Sequence, residues 1–375
     1  MEIFDLIWTN GAAFLFILTV IVFFHELGHY YVARWNGVRV DVFSIGFGPE
    51  LFGWNDRSGT RWKVSLLPLG GYVKMFGESD ESNGDDRGLT PQERAVSFHY
   101  KSVGQRVAIV SAGPVANFVL AIVVLTGLFA TTGEPFTPAE IGAVQPGSAA
   151  EAAGFRPGDR FTAIGGARIE RFEDVQRVVR SSPGQELVVT VRRGDETMDI
   201  RVVPERQELV DRFGNRSEIG LLGVSRTGNE FVRHDPLTAA ARAVAETWEI
   251  SLYTLRAVGQ IIAGTRGSDE LGGPVRIAQM SGQVAEIGIA SVFWFLAVLS
   301  INLGLINLFP VPMLDGGHLL FYGIEALRGR PASDRVMEIS FRVGLGLVVA
   351  LFLFVTVQDL MRFEGIANFI EDLAG

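Results

Sequence analysis

Five consecutive residues, His25-Glu26-Leu27-Gly28-His29, carry the side chains of this chain that are best suited to metal chemistry. His25 and His29 are four residues apart, so on an α-helix they share one face and both imidazoles can bind one zinc ion. Glu26 lies beside them, where its carboxylate can take a proton from water at that ion. These residue types and this spacing predict a catalytic Zn²⁺ site.

The motif lies inside an apolar run that begins near Ile7 and continues to Ala33. Ionisable side chains in a membrane-spanning segment are energetically costly and usually functional. Three of them fall within five positions here, so we predict an active site inside the membrane. The competing interpretation is that these polar residues lie at a helix end and reach for the membrane interface.

The composition indicates a chain with both membrane-spanning and polar parts. Hydrophobic residues make up 48% of the 375 residues, and the mean hydropathy is +0.26. Apolar runs at 7–33, 107–130 and 287–314 are long enough to span a bilayer, and a fourth at 343–358 is short. The first run lacks the basic start of a signal peptide, so we expect it to remain in the mature protein. The net charge of −9 argues against a nucleic-acid partner.

A catalytic zinc ion needs a third protein ligand and an open position for water. The chain has no cysteine, so this ligand must be His, Asp or Glu. The best candidate is Asp315, which directly follows a helix break predicted at Pro310 and Pro312. His318, three residues further on, is the competing candidate.

Further residues near the runs are candidates for contacting a substrate. Asn302 and Asn307 precede the break, where each could bond the freed backbone or a substrate carbonyl, or simply join two helices. Between the first two runs, residues 40–45, 61–66 and 71–75 are predicted as short strands, and the acidic segment 77–91 as a mobile loop. A sheet beside a membrane active site offers an edge for strand pairing.

Basic residues near the ends of the runs predict the orientation. The loop between the first two runs and the loop between the last two are rich in Arg and Lys, so both are predicted to be cytoplasmic. The segment 131–290 and both termini then lie outside. Within that segment, 237–263 is predicted as an amphipathic helix on the outer leaflet, with packing on a neighbouring domain as the alternative.

Residues 136–205 are predicted as a small mixed domain, with strands at 139–144 and 186–192 and a helix at 172–180. The run Pro146-Gly147-Ser148-Ala149-Ala150, followed by Ala153-Gly154-Phe155 and Pro157-Gly158-Asp159, resembles a bacterial PDZ domain. Such domains add a peptide strand to an exposed edge. We expect that groove along Ile141, Gly142, Ala143 and Val144, beside the helix.

Together the motifs resemble the site-2 protease family of intramembrane zinc metalloproteases. The resemblance is carried by His25-Glu26-Leu27-Gly28-His29, by Ser111-Ala112-Gly113-Pro114-Val115-Ala116-Asn117-Phe118, and by Asn307 through Asp315-Gly316. The layout is similar to bacterial members of the regulator-of-sigma-E type, of which the enterobacterial form carries tandem PDZ domains, whereas this chain shows one. The resemblance implies His25, His29 and Asp315 as zinc ligands and Glu26 as general base. It implies a substrate-holding role for Asn307, Pro310 and Pro312, and a membrane re-entrant β region that includes Gly71, Tyr72 and Val73.

The implied fold class is a polytopic α-helical membrane protein with four transmembrane helices, a juxtamembrane β region and an inserted α+β PDZ domain. The predicted boundaries are transmembrane helix 1 at 1–33, a cytoplasmic or re-entrant β region at 34–101, transmembrane helix 2 at 102–131, a periplasmic PDZ domain at 132–206, a periplasmic region with an amphipathic helix at 207–286, transmembrane helix 3 at 287–327, a cytoplasmic loop at 328–342, transmembrane helix 4 at 343–362 and a periplasmic tail at 363–375.

The implied activity is peptide-bond hydrolysis within the transmembrane segment of single-pass proteins in the bacterial inner membrane, with the active site toward the cytoplasmic side. Expected substrates are a trimmed anti-sigma factor and leftover signal peptides. Two other functions compete. A PDZ-containing membrane scaffold with structural zinc would need four protein ligands, and three convincing ones are present. A metal or proton transporter would need ionisable groups along several spans, and the second span has none.

Overall fold

The computed structural model describes residues 2–77, 89–210, 216–228, 230–265, 267 and 272–361. These residues form two compact units. The first, called the helical unit below, takes in the described residues up to Leu128, those at 240–258 and those from 272 onward. The second, called the β-rich unit, takes in residues 129–239 and those following 258 up to 267. The loop predicted at 77–91 lies mostly, and the tail predicted at 363–375 wholly, outside the described residues.

The helices within these ranges follow one another along the chain as α1 (Glu2–Trp35), α2 (Pro91–Val96), α3 (Val103–Thr131), α4 (Ala149–Ala152), α5 (Phe172–Arg180), α6 (Pro236–Ile262), α7 (Pro274–Ile287), α8 (Ile289–Leu308), α9 (Asp315–Arg328) and α10 (Asp334–Leu360). Helices α1, α3, α8 and α10 are long and apolar enough to cross a membrane. The predicted number of apolar helices is thus confirmed for the described residues. The fourth is longer than its apolar run, because α10 begins at Asp334 and includes a more polar first part.

A break separates α8 from α9, where the prolines predict one. Helix α8 ends before Pro310 and Pro312, and α9 begins at Asp315. Two glycines make this tight turn possible, because a Cβ added to Gly316 or to Gly317 would overlap backbone atoms of the connection. The connection therefore folds closely over the first turn of α9 and holds Asp315 at the start of that helix.

The strands β1 (Val40–Asn55) and β2 (Arg61–Met75) form an antiparallel sheet. Here the structure differs from the three short strands predicted, since β2 joins two of them and β1 continues through residues 46–55. Residues 42–45 pair with 71–74 and also with 61–64, so the long strands bend back on themselves. Gly46 and Gly48 have φ values of 87° and 88° at this bend, a conformation that glycine adopts without strain.

The sheet packs on the helices that carry the motif. One buried apolar cluster joins residues of α1, β1, β2, α3 and α9, namely Tyr30, Ala33, Val40, Phe43, Met75, Ile109, Val110 and Tyr322. A polar contact supplements it, because the Tyr30 hydroxyl donates a hydrogen bond to Asp56 Oδ2 at 2.8 Å and Trp62 Nε1 donates to the same oxygen at 3.0 Å. The sheet is therefore held against the end of α1 that follows His29.

Two helices lie between β12 and α8 in the sequence. The predicted amphipathic helix corresponds to α6, whose residues Ala243, Thr247 and Ser251 are buried along one face. Thr254 in α6 donates a hydrogen bond to Asn302 of α8 at 3.0 Å, so α6 contacts an apolar helix in addition to presenting exposed side chains. Helix α7 was not predicted, and it packs on α1, α8 and α10.

The strands of the β-rich unit are β3 (Glu134–Phe136), β4 (Ile141–Val144), β5 (Arg160–Ile164), β6 (Ala167–Arg168), β7 (Leu187–Arg193), β8 (Glu196–Val202), β9 (Glu205–Val210), β10 (Arg216–Leu221), β11 (Val224–Arg226) and β12 (Glu230–Val232). A four-stranded sheet has the order β6-β5-β7-β8, and β3–β12, β4–β11 and β9–β10 form separate pairs. Helix α5 has the bounds predicted for it. The unit continues to Ala239, past the predicted end at 206, because β11 and β12 pair with strands from its beginning.

Candidate metal centre

The two histidines of the motif lie side by side within the helical unit. His25 and His29 each have 8% of their surface exposed, and their Nε2 atoms are 3.3 Å apart. Their four-residue spacing puts them on one face of α1, so the helix alone brings these two nitrogen atoms together.

Asp315 comes from a distant part of the chain and joins the histidines. Its Oδ2 lies 3.3 Å from His25 Nε2 and 3.6 Å from His29 Nε2. Among the described residues, this oxygen is buried and has no hydrogen-bond partner. The ligand atoms of these three residues lie within 4.8 Å of one another. Three candidate metal-binding atoms therefore converge on one point.

The hydrogen positions at this point favour a cation. His29 Nδ1 is 2.9 Å from the backbone oxygen of Ile109. A carbonyl oxygen can only accept, so Nδ1 of His29 carries a hydrogen. In the neutral imidazole Nε2 then presents a lone pair on the side of Asp315 Oδ2, where a cation could be bound by both atoms. Two imidazole nitrogens and one carboxylate oxygen are a donor set that fits a catalytic Zn²⁺ site.

Glu26 lies at the same place, next to the sheet. Its carboxylate interacts electrostatically with His25, His29 and Asp315, and it receives a backbone hydrogen bond from β2 at Val73. Segment 71–75 of β2, called the edge segment below, therefore passes the carboxylate predicted to act as base. A Cβ added to Gly71 would lie 3.3 Å from Glu26 Cγ and 2.7 Å from the backbone oxygen of Ser44, so glycine is what permits this approach.

The remaining predicted residues are distributed around the centre. The Nδ2 of Asn307 lies 3.5 Å from His25 Nε2, so Asn307 reaches the centre. Pro310 and Pro312 lie in the connection that leads to Asp315. The ring of Tyr72 stacks with that of Phe47 at a centroid distance of 6.1 Å.

The two alternatives left open by the sequence concern His318 and Asn302. The described group of converging ligand atoms does not include His318, whose ring lies 5.1 Å from the ring of Phe341. Asn302 accepts the hydrogen bond from Thr254, a contact between helices. Within the described residues, Asp315 is therefore the better candidate for the third ligand.

Two residues of α3 for which no role was predicted touch the histidines. Asn117 is fully buried, with its Nδ2 3.1 Å from His25 Nδ1. A Cβ added to Gly113 would overlap Nε2 of His29 and lie 2.8 Å from Cε1 of His25. The available signal was the segment 111–118, in which an amide and a glycine interrupt an apolar run.

The groove predicted along Ile141, Gly142, Ala143 and Val144 requires a correction. This segment is β4, and β11 already pairs with it, with Val144 opposite Val224 and Ile141 opposite Arg226. The strand pairing that we expected from a peptide is thus supplied by the chain itself, from residues beyond the predicted end of the domain. The prediction was wrong because the short strand at 224–226, which lies far from β4 in the sequence, was not predicted.

Comparisons with known proteins give a consistent result for nearly the whole chain. Residues 13–351 match the model of peptidase family M50. The Agrobacterium fabrum protein named "Putative zinc metalloprotease Atu1380" is 45% identical over 360 residues, which cover 94% of this chain and 96% of that protein. Metalloprotease MmpA of Caulobacter vibrioides is 35% identical, covering 94% and 96%. Protease RseP of Yersinia pestis is 33% identical, covering 96% and 99%. Among solved structures, the PDZ domain of an SdrC-like protein from Listeria monocytogenes matches with a TM-score of 0.19 at 15% identity, covering 24% of this chain and 90% of that chain.

Proposed function

Because the chain belongs to peptidase family M50, we propose that it hydrolyses a peptide bond within the transmembrane segment of single-pass membrane proteins. The protein is a zinc metalloendopeptidase, and Zn²⁺ is its cofactor. One observation carries the proposal of an intramembrane substrate. The converging atoms of His25 and His29, and the adjacent Glu26, belong to a helix that is apolar enough to cross the bilayer.

We assign His25, His29 and Asp315 as the residues that hold the metal. Zinc, when bound, supplies a Lewis acid that polarises the scissile carbonyl and lowers the pKa of water. Glu26 takes a proton from the attacking water on its carboxylate and delivers it to the nitrogen of the leaving amine. The hydroxyl group of the water ends on the carbonyl carbon and its hydrogen on the amine nitrogen. A C–O bond therefore replaces the peptide C–N bond, and water is the co-reactant.

The edge segment is proposed to hold the substrate backbone in an unwound, extended conformation. A transmembrane helix hides its carbonyl groups in its own hydrogen bonds, so it must unwind before attack, and a strand edge can replace the bonds that are lost. In the described ladder, Gly71, Tyr72 and Val73 pair with β1 on one side, and Gly71 and Val73 approach Glu26. Asn307 would bond the unwound substrate or the broken backbone, and the connection at Pro310 and Pro312 would keep the site open.

We place the protein in the bacterial inner membrane, with the metal centre toward the cytoplasmic side and the β-rich unit in the periplasm. The support is the concentration of basic residues in the loops that precede α3 and α10. The family resemblance suggests a trimmed anti-sigma factor and leftover signal peptides as substrates. The chemistry requires a transmembrane helix that can be unwound at the edge segment.

The β-rich unit is proposed to be a PDZ domain that excludes substrates with bulky outer domains. Exclusion spares full-length single-pass proteins whatever their sequence, whereas tail recognition would need a suitable peptide in each substrate. Replacing residues 137–229 by a short Gly-Ser linker keeps the paired strands β3 and β12. This variant should cleave a substrate whose outer domain is still present. Loss of cleavage of a trimmed substrate, with zinc bound and the protein folded, would instead favour recognition.

The proposed function is tested with Glu26→Gln and a reconstituted single-pass substrate. The amide keeps the shape of the side chain but cannot act as a base, so cleavage should fall by at least about 10²-fold while zinc content is unchanged. In cells, truncated single-pass proteins should accumulate with the variant and not with the wild type. Wild-type cleavage outside the transmembrane segment would contradict the intramembrane proposal, and full activity of Glu26→Gln would contradict the role of the base.

A further inference from the structure

The amide of Asn117 lies against a proposed zinc ligand, and we infer that Asn117 is a positioning residue that holds His25 in the tautomer able to bind the metal. In this arrangement Oδ1 of Asn117 accepts a hydrogen bond from Nδ1–H of His25. The hydrogen-free Nε2 of His25 then faces the metal position. The inference rests on the proposed ligand set and does not depend on the substrate.

Asn117 is fixed in place by its neighbours on other helices. It is fully buried in α3, and its amide lies 3.1 Å from Nδ1 of His25 in α1. Its backbone oxygen accepts a hydrogen bond from Ser300 Oγ of α8 at 2.8 Å. The same region of α8 packs closely, because a Cβ added to Gly304 would lie 3.4 Å from the Cβ of Asn117. The amide can therefore act as a rigid support.

The two proposed histidine ligands need the same tautomer. Both present Nε2 to Asp315 Oδ2, so both must carry their hydrogen on Nδ1 if both bind one cation. The backbone oxygen of Ile109 meets this need for His29. His25 lies one helical turn earlier, and the group that faces its Nδ1 is the amide of Asn117.

The need for a hydrogen-free Nε2 on His25 decides which end of the amide faces its Nδ1. With Nδ2 toward His25, the Oδ1 of Asn117 is buried and has no hydrogen-bond partner among the described residues. That orientation would also make His25 Nδ1 an acceptor and leave the hydrogen on Nε2, where the metal should bind. Half a turn of the amide exchanges its nitrogen and oxygen at almost no change in shape, pairs Oδ1 with Nδ1–H and frees Nε2 for the metal.

The test compares two substitutions of Asn117 by their zinc affinity, measured on purified full-length protein by competition with a chelator. Asn117→Asp keeps an acceptor, so its affinity should stay within about threefold of the wild type, as in other carboxylate–histidine–zinc arrangements. Asn117→Leu has a similar shape but no acceptor, and it should lose about 10- to 100-fold. A loss with Asp as large as that with Leu would overturn the inference, as would wild-type affinity with Leu.

Two further measurements keep the result interpretable. Thr126→Val on the same helix should leave zinc affinity unchanged, which controls for general damage to α3. Ring ¹⁵N NMR of the zinc-loaded wild-type protein should show the hydrogen of His25 on Nδ1, and finding it on Nε2 would overturn the inference even if Asn117→Leu does not fold. His25→Ala tests the ligand set by itself. If it loses zinc while both Asn117 variants keep it, only the role of Asn117 fails.

Discussion

Gly113 of α3 lies directly against His29 of α1, so that any β-carbon at position 113 would overlap the Nε2 atom of the imidazole. Gly113→Ala should therefore displace the ring from its position facing Asp315. Overpacking of this kind costs about 1–3 kcal/mol, which corresponds to a loss in zinc affinity of about 5- to 150-fold if the whole cost falls on the zinc-bound state. Zinc competition with a chelator measures the loss. Gly127→Ala on the same helix is the matched control, because among the described residues no atom beyond the chain neighbours and the local helix backbone lies within 4 Å of its added Cβ.

Asp315 and His318 compete for the role of third ligand, and metal analysis of two variants separates them. Asp315→Ala should lose both zinc and activity, because it removes the carboxylate oxygen that faces both histidines. His318→Ala should retain zinc at full occupancy, since its ring packs near Phe341 and Tyr322. If Asp315→Ala keeps its zinc and His318→Ala loses it, the third ligand is His318.

The hydroxyl of Tyr30 connects the motif helix to the sheet through Asp56. Tyr30→Phe removes this hydrogen bond, which is worth about 1.5–3 kcal/mol because the acceptor is charged. If the edge segment holds the substrate, its looser placement should raise KM about fivefold or more, while zinc content and kcat change little. Steady-state kinetics of cleavage of a single-pass substrate measure KM and kcat separately. Tyr31→Phe is the control, because Tyr31 is half exposed and lies next to Tyr30. An unchanged KM in Tyr30→Phe would argue against the docking role.

The proposed orientation can be read from cysteine labelling, because the chain has no cysteine of its own. Single substitutions Arg57→Cys and Arg330→Cys should be shielded from a membrane-impermeant thiol reagent in spheroplasts, since both positions lie in loops proposed to be cytoplasmic. Gly194→Cys, in the β-rich unit, should react. All three positions are exposed on their own units. The reverse labelling pattern would place the β-rich unit in the cytoplasm.

The stability of the β-rich unit should depend on pH through Asp159. Burial raises the pKa of its carboxyl, but the hydrogen bonds from the Arg193 side chain and from the Arg156 backbone lower the pKa by more, so the net pKa lies below its usual value. A depressed pKa contributes stability above the unfolded pKa of about 4, and this contribution is lost as the pH falls toward the folded value. The hydrogen-exchange protection factors of β5 and β7 in the full chain, which are corrected for the intrinsic exchange rate at each pH, should therefore fall below about pH 4. Asp159→Asn should weaken protection already at neutral pH and flatten this dependence, whereas exposed Asp195→Asn should not.

The sequence by itself determined the features that depend on local spacing. The i, i+4 spacing of His25 and His29 puts them on one helix face whatever surrounds them, and runs of apolar residues predicted the four long apolar helices. Pro310 and Pro312 predicted the break before Asp315, because proline cannot continue a helix. The bounds of α5 also followed from periodicity. In each case the signal and the structure involve residues that are close together in the chain.

Only the tertiary structure decided the relationships between distant segments. It brought Asp315 to the histidines, set Asn117 and Gly113 of α3 against them, and placed the edge segment beside Glu26. It also paired β11 with β4, which closed the groove predicted there. No local pattern records such contacts, because strand pairing and helix packing depend on which surfaces meet after the chain has folded. Helix α7 was not predicted for the same reason, since its apolar residues are accounted for only by its packing on α1, α8 and α10.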